Sequence, residues 1–148
     1  QSNVPAFFMK TTSTSITNSV MTKIPFDTAT IDTDSAVDTS NNRFTVPSGK
    51  GGKYNISYSI GAAADAHTTL YRIFTGLYKN GSWEQGNFSD FGGTTTIGHL
   101  SKTFSAILPF NGTSDYIELY VWAQFNSASL TIQNGEDTSM SGHWIRSL

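Results

Sequence analysis

"RFTVPSGKGGKYNISYSI", residues 43–60, joins two apolar strand fragments, Phe44–Val46 and Tyr54–Ile60, through a turn that holds three glycines. Pro47 tolerates a strand exit, and Gly49, Gly51 and Gly52 accept backbone angles closed to other residues. Past the turn, Tyr54, Ile56, Tyr58 and Ile60 alternate with Asn55, Ser57 and Ser59, so one set points into a core and the other away from it. A sharp corner in the middle of the chain predicts a compact β-sandwich, with these residues making the fold and not a binding site.

The same period of two recurs in short runs punctuated by Gly, Asn, Asp and Pro. It predicts strands over Ala6–Lys10, Val20–Phe26, Arg43–Val46, Lys53–Ile60, Leu70–Lys79, Ile97–Pro109, Tyr116–Phe125, Ser129–Gln133 and Ser139–Arg146. No window carries a helical period, and "GAAADAHTTL", residues 61–70, reads as a loop. Asn80-Gly81 in "YKNGSW" (residues 78–83) suits a type I′ hairpin, in which both central residues take positive φ. Asn111-Gly112 in "PFNGTSDY" (residues 109–116) repeats the pair.

With 148 residues and no linker, repeat or charge block, the chain is expected to form one domain, residues 1–148. A chain of this length buries about two-thirds of its unfolded surface and folds without covalent staples. It has no cysteine, which excludes disulfides and thiolate metal sites. A net charge of −2, with 14% charged residues and no basic run, offers nothing to displace counterions from nucleic acid or an acidic membrane. No apolar stretch approaches the ~18 residues of a membrane-crossing helix. A start at Gln1 without a signal-peptide pattern suggests a processed product or a piece of a longer protein.

"DYIELYVWAQF", residues 115–125, has two unusual faces. Ile117, Leu119, Val121, Ala123 and Phe125 form a core stripe, while Tyr116, Glu118, Tyr120, Trp122 and Gln124 occupy the other side. Three large rings in a row exceed what a monomer surface ordinarily leaves bare, so something is expected to cover them. That cover is either a loop of the same chain or another copy. Burying roughly 100 Å² of each ring at ~25 cal/mol per Å² gives about 2–3 kcal/mol apiece before association entropy.

Taken together, these segments resemble the globular heads of complement component 1q, which share a jelly roll with the tumour necrosis factor ligands. Phe26, Asp32 and Phe44 fall at that family's spacings, followed by Gly52-Lys53-Tyr54-Asn55-Ile56-Ser57-Tyr58. Ile56 stands where the family prefers Phe, Val37 where an aromatic or Leu is usual, and the Phe44-to-Gly52 turn is longer than the pattern. "LYKNGS" (77–82) resembles the central hairpin, "MSGHWI" (140–145) the closing strand and "PAFFM" (5–9) the opening one. The resemblance implies an all-β jelly-roll sandwich of about ten strands that assembles as a homotrimer. In such a trimer a neighbouring copy covers Tyr116, Tyr120 and Trp122; His143, in the closing strand, is expected at the interface or in the core.

Chemical motifs are sparse. His67, His99 and His143 show no zinc-ligand spacing, and no Gly-x-Ser-x-Gly elbow is present. Asp32, Asp34 and Asp38 in "IDTDSAVD" form at most a loose calcium loop, which lacks the glycine and closing glutamate of an EF-hand. Some complement 1q-like heads hold calcium, so that ion is the one candidate cofactor. Asn55, Asn80, Asn87 and Asn111 each begin an Asn-x-Ser/Thr sequon, which chance explains in an Asn/Ser/Thr-rich chain. The connection "SWEQGNFSDFGGTTT", residues 82–96, places Trp83, Phe88 and Phe91 among Gly, Ser and Asp. Read as a loop, it is either the candidate contact for a host-surface protein or carbohydrate, or a segment that Phe88 and Phe91 pin by tucking beneath it.

The sequence therefore points to a non-enzymatic trimeric binding head. The expected setting is the distal knob of a phage or virion fibre or surface protein, located on the virion surface or extracellularly. A structural trimerisation cap, or a soluble cytokine-like or carbohydrate-binding module, are the alternative readings.

Overall fold

The computed structural model describes residues 4–64, 68–93, 96–126 and 130–147. His67, Ser129 and part of the 82–96 connection lie outside the described residues. Among those described, thirteen strands and no helix form two antiparallel sheets.

The first sheet is organised around β7 (Gly52–Ala63). β10 (His99–Phe110) runs along one edge of β7 for its whole length. The other edge is shared between β13 (Gly135–Arg146) and, at the far end, β12 (Leu130–Ile132). β1 (Ala6–Thr11) and β4 (Phe26–Asp32) follow outward from β13, and β2 (Thr14–Ile16) pairs with β12. The second sheet is organised around β11 (Tyr116–Phe125), with β8 (Leu70–Lys79) on one edge and β9 (Ser82–Asp90) beyond it. β3 (Thr22–Lys23) and β6 (Arg43–Thr45) share the other edge, and β5 (Val37–Asp38) pairs with β6.

The core lies between the sheets, filled by the alternation read from the sequence. Tyr54, Ile56, Tyr58, Ile60 and Ala62 of β7 face Ile117, Leu119, Val121, Ala123 and Phe125 of β11, all buried. Phe7 from the first sheet stacks on Phe44 from the second, with ring centres 4.0 Å apart. Tyr54 packs against Phe44 on one side and Phe110 on the other, at 6.0 and 5.4 Å. The Tyr54 hydroxyl donates to the Lys50 carbonyl at 2.7 Å. Burial, with a smaller contribution from Asp34, pushes that phenol up to about 12.

The opening corner carries the chain from β6 in the second sheet to β7 in the first, while residues 111–115 make the return crossing from β10 to β11. The two crossings press on each other. Gly49 N–H donates to the Gly112 carbonyl at 2.8 Å, and a methyl group on Gly51 would come within 2.6 Å of the Gly112 nitrogen. Asn111-Gly112 is thus a crossing between sheets and not the expected hairpin. Its order comes from the Asn111 side-chain oxygen, which accepts from the N–H groups of Thr113, Ser114 and Asp115. The Asn80-Gly81 hairpin does take positive φ at both residues, 53° and 79°.

Asp115 ties the return crossing to this hairpin. It accepts from Asn80 Nδ2 and from Asn111 N–H, both at 2.7 Å, and pairs with Lys79 at 3.2 Å. Burial alone would raise its carboxyl, but these donors outweigh burial and hold it below the ordinary 3.8. A carboxyl lowered by folding stabilises the fold above its unfolded value, and that contribution is lost as pH falls through the folded value. Thermal stability is therefore expected to decline below about pH 4. Asp115→Asn should cost roughly 2 kcal/mol at neutral pH and show a shallower acid decline, measured by thermal circular dichroism across pH. An unchanged acid slope in the variant would remove Asp115 from the account.

Several expected boundaries move, among them the start of the closing strand, which begins at Gly135 and not Ser139. The Val20–Phe26 strand breaks because Pro25 gives no N–H: β3 stops at Lys23, Ile24 still donates to the Leu119 carbonyl, and β4 starts at Phe26. The 82–96 connection is not a loop at its start; residues 82–90 form β9. β7 extends through Ala63, into the segment expected to be a loop.

Candidate functional site

Strand register sets the outward face of the second sheet. Alternation turns Ile73, Thr75 and Leu77 of β8 inward and Arg72, Phe74, Gly76 and Tyr78 outward. Pairing across β11, β8 and β9 then builds rows. Gln124, Arg72 and Asp90 form one row, and Trp122, Phe74 and Phe88 the next. Tyr120 lies beside Gly76 and Gly86 in the third row, and Glu118 beside Tyr78 and Trp83 in the fourth.

The glycine pair leaves a notch between two aromatic rows. A methyl group added at Gly76 would meet Phe74 Cζ at 2.7 Å and Trp83 Cδ1 at 3.2 Å, so those rings converge over it. Met21, Phe74, Tyr78, Trp83, Phe88 and Trp122 line a shallow groove of about 430 Å³. Trp83 and Phe88 are 55% and 56% exposed, unusually open for rings of that size.

The rings at the β11 end of this face have partners within the chain. The Arg43 guanidinium lies 4.2 Å over the Tyr116 ring, and Tyr120 packs on Tyr78 with centres 4.4 Å apart. Glu118 is buried and bonded to Lys23 of β3 at 3.0 Å. Burial, and then the Glu118 charge, raise the Tyr120 phenol above its ordinary value. Tyr116 and Tyr120 stay half-buried beside these partners, and Trp122 sits in the open groove.

The residues singled out from the sequence are therefore regrouped. Trp122 shares its groove with Trp83 and Phe88. Phe91 leaves them: it is partly buried against the core, and its N–H donates to the Tyr71 carbonyl. His143 is exposed on β13 in the other sheet, so it shares no face with Tyr116, Tyr120 and Trp122. Met21, Phe74 and Tyr78 were missed as groove residues, although the Leu70–Lys79 alternation already placed Phe74 and Tyr78 on one face.

The outward face of the first sheet differs. Thr103, Ser59 and Ser139 form one row, and Ser105, Ser57 and Ser141 the next, ending at Phe8 and Ile31. Ile107, Asn55, His143 and Ala6 form the third. Small hydroxyl side chains here leave a shallow depression of about 570 Å³, and Ile107 stands 60% exposed beside it.

The aspartates considered for calcium are individually engaged. Asp32 accepts from the N–H groups of Ala36 and Val37, at 2.7 and 3.1 Å. Asp34 accepts from the Thr33 hydroxyl, and Asp38 from Asn41 N–H and Nδ2. They act as separate turn caps, a poor fit to one cation. No group of three or more His, Asp or Glu side chains converges among the described residues. Three of the sequon asparagines are also working parts: Asn80 and Asn111 build turns, and Asn87 Nδ2 bonds the Thr103 carbonyl between the sheets.

Two packed antiparallel sheets with these crossings form a jelly-roll sandwich, the architecture the sequence resemblance implied. Solved structures bear this out. Eiger TNF from S. frugiperda superposes with a TM-score of 0.64 at 12% identity, covering 98% of this chain and 94% of that one. The PRD1 vertex protein P5 gives 0.63 at 14% identity, covering 98% and 100%. At such identities the likeness is one of fold. No family model and no curated protein matches the sequence.

Proposed function

We propose that the chain is a non-enzymatic homotrimeric head on the surface of a virion or another extracellular assembly, assembling through its first sheet and recognising a host surface through its second. The carrying observation is the contrast between the two outward faces. Rows of Ser and Thr let another backbone approach closely. They are flanked by Ile107 on one side and by Phe8 and Ile31 on the other. A cyclic trimer joins two different patches of adjacent copies, which this separated apolar pair supplies. His143 lies on the same face and belongs to this interface. Both solved neighbours match along nearly the whole chain, and one carries the name of a vertex protein.

This reading moves Tyr116, Tyr120 and Trp122 away from the threefold axis, because both neighbours in a ring of three lie on the same side of a subunit. Light scattering coupled to size exclusion, on the purified chain at micromolar concentration, should return three times the chain mass of 16.1 kDa. A stable monomer would overturn the assembly.

A further inference from the structure

We propose that the groove on the second sheet is a glycan-binding site, in which a sugar ring lies on Trp122, Phe74 and Phe88 while its hydroxyls bond Gln124, Arg72 and Asp90. The proposal rests on the reading of the chain as a recognition head and names the ligand class of its outward face.

Two adjoining rows have complementary chemistry. The ring row is apolar, with Phe88 largely exposed at the edge strand. The electron-rich face of an aromatic ring attracts the slightly positive C–H face of a pyranose. The polar row is one step away, two residues along each strand or about 7 Å. Gln124 offers an amide, Arg72 a guanidinium and Asp90 a carboxylate, which suit the donor-and-acceptor hydroxyls of a sugar. These three line a neighbouring depression of about 580 Å³ with Tyr71, Gly92 and Gly93.

The polar row is preset yet open. Arg72 Nε donates to Asp90 Oδ2 at 2.9 Å, and Gly92 N–H donates to Asp90 Oδ1 at 2.9 Å. Both side chains remain about half exposed, at 51% and 45%. An exposed ion pair of this kind contributes little to stability, so its remaining lone pairs and N–H groups serve a ligand at small cost. An apolar floor with a few fixed polar groups is the lining of a small-ligand site. The two charged pairs flanking the rings differ: Glu118 is buried against Lys23 on one side, whereas Arg72 and Asp90 stand open to a ligand on the other.

The test titrates the intact head with neutral gluco-, galacto- and manno-oligosaccharides of four to six sugars, following tryptophan fluorescence. Trp83 and Trp122 lie in the groove, while the third tryptophan, Trp144, bonds the Gly51 carbonyl on the other sheet. A saturable change is expected with at least one series. Phe88→Ala and Arg72→Ala should each weaken it about tenfold with far-ultraviolet circular dichroism and the unfolding midpoint unchanged. No response to any series at millimolar concentration overturns the proposal, as does a response indifferent to both substitutions. A fall in mass on Phe88→Ala without sugar also overturns it, marking the groove as a contact between copies. Mass is measured on the same samples: a trimer that ignores sugars loses only this inference, and a monomer that binds them loses only the assembly.

Discussion

Gly52→Ala is expected to destabilise the chain by at least about 3 kcal/mol, a fall of ~10 °C in Tm for a domain of this size. Gly52 opens β7 with φ at 150°, a conformation other residues rarely take. A methyl group there would lie 2.1 Å from the Arg146 carbonyl oxygen and 2.5 Å from Trp144 Nε1. The oxygen is backbone within the paired β7 and β13 ladder, so neither side can give without losing strand hydrogen bonds. Gly49→Ala is the matched control. Its φ is 75°, but nothing lies within 4 Å of the added carbon, so only conformational strain of about 1 kcal/mol is at stake. Thermal unfolding followed by far-ultraviolet circular dichroism separates the two. Equal losses would mean that the corner is not held against the closing strand.

The second large effect concerns assembly. Ile107→Glu should convert the proposed trimer to monomers at micromolar concentration while leaving the unfolding midpoint of the subunit nearly unchanged. Ile107 points away from its own core, so the sandwich loses nothing when it is replaced. In the proposed trimer three such side chains are buried at roughly 2 kcal/mol each, and a carboxylate in their place would have to be desolvated against Ser and Phe8 of a neighbour. Light scattering reads the outcome directly. A trimer that survives Ile107→Glu but dissociates with Trp122→Ala would return the interface to the aromatic face.

The fold was legible where burial is one-sided. Leu70–Lys79 and Tyr116–Phe125 were bounded correctly from the sequence, because each alternates cleanly between core and surface. β9 was read as a loop for a physical reason. A bulge shifts its pairing at Leu77/Tyr78, and its inward Asn87 and Ser89 bond β10 instead of packing in the core, so no apolar period remains. β4 was missed because it is an edge strand whose Thr-rich residues are exposed. The site was legible as composition but not as grouping. Asn80-Gly81 sets the hairpin of β8 and β9 that carries Trp83 and Phe88, but nothing local in the sequence encodes the register of β11 on β8 that brings Trp122 to them. The same register separates His143 from Trp122.

β13 is inserted between β1 and β7, pairing Ala6 with His143 and Ser57 with Ser141. A ribosome-bound chain consequently cannot close its first sheet until β13 has emerged, and until then β1 and β7 each present an open, sticky edge. Maturation of such a non-local pairing is slow, on the order of milliseconds to seconds. Premature termination just before Gly135 would yield aggregates in place of a shortened head.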